Sequence, residues 1–165
     1  MNHIITPEDV TTLYRFCDVD SEDMERIIAD VEQLDIKPQI GSDLLISVLD
    51  KPSAHPLLLD GGRYEACGKK FLFSGLKKVV ACYAYARGVQ TASVRLTRTG
   101  LTSKYDDTSN SVDKSGRADV IRAAQSDGDR YLAEVLKFLS ETDYAQYSGG
   151  RKVKQTRMKS FVIGK

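Results

Sequence analysis

Met24, Ile27, Ile28, Val31 and Leu34 recur at i, i+3, i+4, i+7 and i+10 with charged residues between them. Only an α-helix turns that spacing into one continuous apolar face. The same period returns in Leu44, Leu45, Val48 and Leu49, in Leu76, Val79, Val80, Tyr83 and Ala84, and in Ile121, Ala124, Tyr131, Leu132, Val135, Leu136 and Leu139. Stripes of this kind are buried by packing on one another, so the chain is expected to be mainly α, a helical bundle. Its 165 residues can bury roughly 70% of the surface exposed by the unfolded chain, enough for one domain without a metal or disulfides.

Local signals divide the bundle. Thr6 reads as an N-cap, with Pro7 at the first helical position and Glu8 and Asp9 facing the positive end of the helix dipole; Val10, Leu13 and Tyr14 then form a stripe ending near Phe16. A second helix starts at Ser21 and is expected to close at Pro38. Gly41-Ser42 opens a third, which stops before Lys51-Pro52. Residues 52–62 read as a loop with one apolar turn, and residues 63–73 as a small β-hairpin around a glycine turn. Ser74 is expected to cap the next helix, whose Ala81, Ala84 and Ala86 permit close approach and place it at the centre. Val94, Leu96 and the stretch to Leu101 can pair as a strand, residues 102–116 read as a mobile polar loop, and a long helix runs over 118–140. Gly128 within that helix should weaken it by roughly 1 kcal/mol relative to Ala. Residues 1–148 thus form one domain and residues 149–165 an extended basic C-terminal tail.

A formal net charge of +1 conceals strong sorting. Residues 1–60 carry a net −9, residues 61–104 a net +8, residues 105–150 a net −4 and the last fifteen a net +6. Such blocks suit a subunit with charge-complementary contact faces, or equally a set of solvated helix faces sorted by sign. No basic-then-apolar leader is present, and no apolar run approaches the roughly 18 residues needed to span a bilayer, so no secretion or membrane address is expected.

Chemical signatures fail on inspection. Gly62 to Lys70 resembles a phosphate loop, but five residues separate Gly62 from Gly68 where four belong, and Lys70 stands where Ser or Thr should hold magnesium. Asp18, Asp20, Glu22 and Asp23 resemble a calcium loop that lacks its sixth-position glycine and has Ala29 where the closing Glu belongs. His3 and His55 are the only histidines; they form no zinc pair, and His55 before Pro56 reads as a turn residue. Cys17, Cys67 and Cys82 have no paired spacing. Cys67 beside Lys69 and Lys70 is the one candidate nucleophile, without a visible partner. No enzyme, cofactor or metal is expected.

The tail, with Arg151, Lys152, Lys154, Arg157 and Lys159 and then Phe161 and Ile163, reads as a nucleic-acid contact, as an adhesive protein segment, or as a solvated terminus. Several segments carry a wider likeness: Leu-Leu-Leu-Asp-Gly-Gly at 57–62, Gly-Lys-Lys-Phe-Leu-Phe-Ser-Gly-Leu-Lys at 68–77, Tyr-Ala-Tyr-Ala-Arg at 83–87, the Gly100 turn, the polar loop and the end at Tyr144 and Tyr147. In this order, after an acidic helical third, they resemble the head-tail connector (adaptor, neck ring) proteins of tailed bacteriophages, closest to those of crAss-like and related Bacteroidetes phages. The resemblance implies a structural virion protein made in the host cytoplasm and placed at the head-tail junction. It implies a homo-oligomeric ring beneath the portal protein, following its twelvefold symmetry, in contact with other neck and tail ring proteins, with genomic DNA passing through unread.

On that reading the tail residues Arg151, Lys152, Lys154, Arg157, Lys159, Phe161 and Ile163 face the portal or a neighbouring ring, and Arg95, Arg98 and Lys104 face the acids of an adjacent subunit. The alternative is a small sequence-nonspecific nucleic-acid-binding module working through residues 61–104 and the tail. A thiol-dependent enzyme using Cys67 is the third reading.

Overall fold

The computed structural model describes residues 2–17, 19–91, 94–97, 100–103, 114–144 and 146–147, with backbone alone for 94–97, 100–103 and Lys114. It is mainly helical, with two-stranded antiparallel sheets. Helix α1, Pro7–Leu13, opens with a capping box: the Thr6 hydroxyl accepts from the Asp9 N–H, and the Asp9 carboxylate accepts from the Thr6 N–H at 2.8 Å. It stops at Leu13, short of the expected end, and Phe16 is 76% exposed.

Helix α2, Ser21–Val31, is capped by the Asp20 side chain. Pro38 does not end it. A π-helical turn, Glu32–Ile36, carries the chain into α3, Lys37–Ile40, which stops at Gly41 with φ 89°. Proline has no N–H to give, and its ring would collide with the carbonyl four residues back. The wider turn, in which the Lys37 N–H reaches the Glu32 carbonyl, leads the helix past that collision. One added residue also rotates the apolar stripe, so Ile36 and Ile40 are buried while Leu34, expected inside, is 61% exposed. The rotation brings Glu32 in as well, and its carboxylate accepts from the Ile4 N–H at 2.6 Å and meets His3 Nδ1 at 3.0 Å, pinning the N-terminal segment.

Helix α4, Ser42–Asp50, leads through a 3₁₀ turn, Pro52–Ala54, to the short α5, Pro56–Asp60. Strands β1, Gly62–Ala66, and β2, Lys69–Phe73, form the expected hairpin, with Arg63 opposite Leu72 and Glu65 opposite Lys70. Cys67 and Gly68 make its turn with φ of 49° and 71°, the paired positive values of a tight hairpin. Tyr64, Ala66 and Phe73 face inward, and Tyr64 and Phe73 pack on Phe138 with ring centroids 5.1 and 4.5 Å away. Arg63, Glu65, Lys70 and Leu72 face solvent.

Helix α6, Leu76–Thr91, begins two residues after Ser74, so Gly75 directly precedes it and not the expected cap. Its buried Leu76, Val79, Val80, Ala81, Cys82, Ala84, Ala86 and Gly88 make it the central element, against which α1, α2 and α5 pack. Strands β3, Val94–Thr97, and β4, Gly100–Ser103, pair as a second hairpin. Helix α7, Lys114–Glu141, starts earlier than expected, which corrects the loop over 102–116 at both ends: Thr102 and Ser103 are in β4 and residues 114–116 are helical. Polarity misled there. No proline stands in that stretch, and a helix already formed downstream extends at one hydrogen bond per added residue. The loop's interior lies outside the described residues.

Helices α6 and α7 run antiparallel, with Lys78 over the Tyr131 ring and Tyr83 against Gly128. A Cβ on Gly128 would meet the Tyr83 ring at 2.7 and 2.9 Å, so this glycine lets the two helices close and is not simply a weak point. Gly128→Ala is expected to lower stability by about 1–3 kcal/mol, although alanine is the better helix former. Urea denaturation of the variant checks this, and a stabilisation would show that the ring yields freely.

Candidate functional site

Helix α7 carries Asp127, Asp129 and Glu141 beside its apolar stripe, and each receives a tyrosine hydroxyl from another element. Tyr14, at the end of α1, donates to Asp127 at 2.7 Å; Tyr83 of α6 donates to Asp129 at 2.6 Å; Tyr64 of β1 donates to Glu141 at 2.9 Å. Burial, then the accepting carboxylate, raises all three phenols above their ordinary range, Tyr64 to about 12. These bonds tie α7 from its middle to its end.

Leu34, rolled outward by the π turn, stands at the edge of an open groove of about 490 Å³ between that turn, α6 and α7. Ala86 and Leu132 supply apolar surface, while Gln39, Gln90 and Gln125 offer amides. The Arg87 guanidinium forks onto Asp35, with contacts of 2.9 to 3.1 Å, and the Tyr83–Asp129 bond also lines the groove. Among the described residues the lining holds no Ser, Thr, Cys, His or Lys; its polar groups are the Asp35–Arg87 pair, the Tyr83–Asp129 pair and the three amides.

His55 stands in the turn between the 3₁₀ helix and α5, as read, and is also buried. Its Nε2 meets Ser47 Oγ at 2.8 Å and its Nδ1 meets the Tyr144 hydroxyl at 2.8 Å. A neutral imidazole offers one donor and one acceptor, and the two hydroxyls can complement either tautomer. Hydrolase triads place a carboxylate where Tyr144 stands, to stabilise an imidazolium. Here the chain of bonds fastens the segment after α7 to α4 and to the start of α5. Tyr144 also packs on Phe138, and its burial raises the phenol pKa.

Two exposed regions differ in the sign of most of their charge. The hairpin beside the start of α6 presents Arg63, Lys69 and Lys70 against Glu65. The first turns of α2 present Asp20, Glu22, Asp23 and Glu25, with Arg26 paired to Asp23 at 3.1 Å. That second region lies at the other end of α6, where a Cβ on Gly88 would be 3.2 Å from Cys17 Sγ and 3.3 Å from Met24 Cε.

Cys67 is exposed at the hairpin turn. Arg95 stands in β3, where only the backbone is described; Arg98, Lys104, Arg151, Lys152, Lys154, Arg157, Lys159, Phe161 and Ile163 lie outside the described residues. Among the described residues no group of three His, Cys, Asp or Glu side chains could hold a metal ion, and no helix is long and apolar enough to cross a membrane. The groove and the tyrosine bonds were missed in the sequence, although acids flanking the apolar stripe of α7 were a signal for partners.

Comparison with curated proteins and with solved structures finds no match. A family model described as a family of unknown function matches residues 36–157, from the last residue of the π turn through both hairpins and α7 into the tail. That span is about three-quarters of the chain, which therefore belongs to the DUF6712 family.

Proposed function

We propose that this chain is a structural subunit of a phage head-tail connector, one copy in a ring beneath the portal that joins capsid to tail around the DNA channel. The supporting observation is the opposite sign of two exposed patches, mostly basic on the β1–β2 hairpin and mostly acidic at the first turns of α2. A cyclic assembly larger than a dimer uses heterologous contacts, in which two different faces of the subunit meet. The segments that carry the resemblance also fall together: residues 57–62, from α5 into β1, the β1–β2 hairpin and the 83–87 stretch of α6 are consecutive parts of one packed unit. In this reading residues 151–165 dock on the portal or a neighbouring ring, and Arg95, Arg98 and Lys104 meet an adjacent subunit's acids.

Electron microscopy of the protein mixed with the portal encoded in the same genome tests the proposal. A ring on the portal vertex is expected from the full chain. A chain lacking residues 151–165 is expected to fold and to lose that docking. Failure of the full chain to bind portal would overturn the connector reading, and normal docking without the tail would overturn the tail's role.

The exposed Arg63, Lys69 and Lys70 of the hairpin favour a second reading, a sequence-blind nucleic-acid contact. It requires duplex affinity that falls steeply with salt, and absence of binding at about 50 mM salt would remove it.

A further inference from the structure

Phe16 and Leu72 are the two most exposed large apolar side chains among the described residues, at 76% and 73%. Neither is needed to close the core, and single exposed apolar residues are ordinary. Their surroundings are not ordinary. Leu72 stands on the outer face of the β1–β2 hairpin, directly across from Arg63, with Lys70 on the same face of its own strand and Lys69 nearby. Phe16 stands in the connection from α1 to α2, ahead of Asp20, Glu22, Asp23 and Glu25. Each is an apolar anchor beside charge, and the two sets of charge have opposite sign.

The acids that border the hairpin from other elements are engaged: Asp60 pairs with Lys77 at 2.7 Å, and Glu141 accepts the Tyr64 hydroxyl and lies 3.9 Å from Lys137. Glu65 is the one acid on the outer face of the hairpin. At the other end Arg15 lies over the Tyr14 ring at 5.0 Å, and Arg26 is engaged with Asp23 and Glu22.

The two patches cannot meet within one molecule. Leu72 lies just before the start of α6, whereas Cys17, the neighbour of Phe16, packs on Gly88 near the end of that helix. Leu76 and Gly88 are separated by roughly 18 Å along the helix axis. We infer that the Leu72 face of the β1–β2 hairpin docks on the Phe16 end of a second copy of this chain, head to tail. The occupant is fixed by charge: the acidic first turns of α2 complement Arg63, Lys69 and Lys70, and two hairpin faces or two α2 ends would repel each other. Because each copy keeps one unused face of each kind, the contact propagates and either closes as a ring or extends as a filament. The inference rests on the connector reading for its purpose and deepens it by naming the subunit contact.

Sedimentation of the full-length chain at low ionic strength tests it without portal. The wild type is expected to associate in a concentration-dependent manner and to dissociate on adding salt. Leu72→Asp and Phe16→Asp are each expected to weaken association by about tenfold or more, with unchanged circular dichroism. Mixed together, the two variants retain one good face each and should form a 1:1 dimer that grows no further. Lys70→Glu and Glu22→Lys serve as a second pair that leaves the apolar anchors in place: each alone should weaken association, and the two mixed should recover it. A wild type that stays monomeric at all concentrations, either aspartate variant assembling like the wild type, or mixed variants that do not pair would each overturn the contact. Portal binding by a monomeric chain would sink this contact and leave the connector reading standing; self-association without portal binding would do the reverse.

Discussion

Alanine at Gly75 is expected to destabilise the protein by about 3 kcal/mol or more, a large part of the 5–15 kcal/mol typical of a whole domain. Gly75 has φ +78°, and a Cβ built there would lie 2.3 Å from the Gly61 nitrogen and 2.5 Å from the Leu59 carbonyl oxygen. The colliding atoms are backbone, at the point where the end of α5 crosses the approach to α6, so no side chain can swing away. The left-handed conformation adds roughly 1–2 kcal/mol for any residue with a Cβ. Gly68→Ala is the control. Gly68 has a similar φ of +71° but nothing within 4 Å of the added methyl, so only the conformational part should appear, about 1 kcal/mol. Urea midpoints of the two variants decide the matter, and equal losses would show that the crossing is not the constraint. Because the β1–β2 hairpin is strung between Gly61 and Gly75, the substitution should also disturb the face that carries Leu72.

Raising the pH through 10 is expected to unfold the protein in one cooperative step. Burial, and after it the hydrogen bond to a carboxylate, holds the Tyr14, Tyr64 and Tyr83 phenols above their ordinary value of 10; burial pushes the Cys82 thiol up to about 12. The unfolded chain therefore releases these protons first. The stability that the four groups contribute is fully present below their unfolded values, near 9 for the thiol and 10 for the phenols. It is lost as pH rises toward their folded values, about 12 for Tyr64 and Cys82. Tyrosinate absorbance and helical circular dichroism, followed together against pH, test this. Ionisation of these phenols should coincide with loss of helix, and replacing Tyr14, Tyr64 and Tyr83 by Phe should flatten the fall in stability above pH 10. Ionisation of all eight phenols at full helicity would contradict it. The effect is expected to be large because the three phenols join α7 to α1, to β1 and to α6, so losing them undoes the principal helix pair.

Much of the architecture was legible in residue spacing. The stripes of α2, α4, α6 and α7, the hairpin at 63–73 and the central place of α6 follow from apolar period and turn residues, which are local properties of the chain. The errors also had local causes. Pro38 is a valid stop signal for an α-helix, but a π turn is another way past a proline, and no periodicity rule chooses between them. Gly128 is unfavourable on a propensity scale because that scale holds no neighbour, and here the neighbour is the Tyr83 ring. Ser74 has the right chemistry for a cap but stands one residue too early.

The sites were far less legible than the fold. Asp35 and Arg87 are 52 positions apart, and Tyr14 and Asp127 are 113 apart. Hydrogen bonds over such separations leave no spacing to read. His55 was visible as one of two histidines, but its two partners come from α4 and from beyond α7, elements joined only by folding. Charge shows the same division. The net values of the four blocks could be counted from the chain, while the placement of the basic hairpin and the acidic start of α2 at opposite ends of α6 could not.

What the amino-acid sequence determined alone is the main helices and the first hairpin, most of their buried faces and the sign of charge each carries, since these depend on neighbours within a few residues. Only the tertiary structure decided which Leu and Phe remain outside, which acids hold a tyrosine, and that the two charged patches lie near opposite ends of α6. The reason is physical: packing of antiparallel helices sets distances between residues remote in sequence, and those distances decide whether opposite charges satisfy each other within one molecule or remain available to the next.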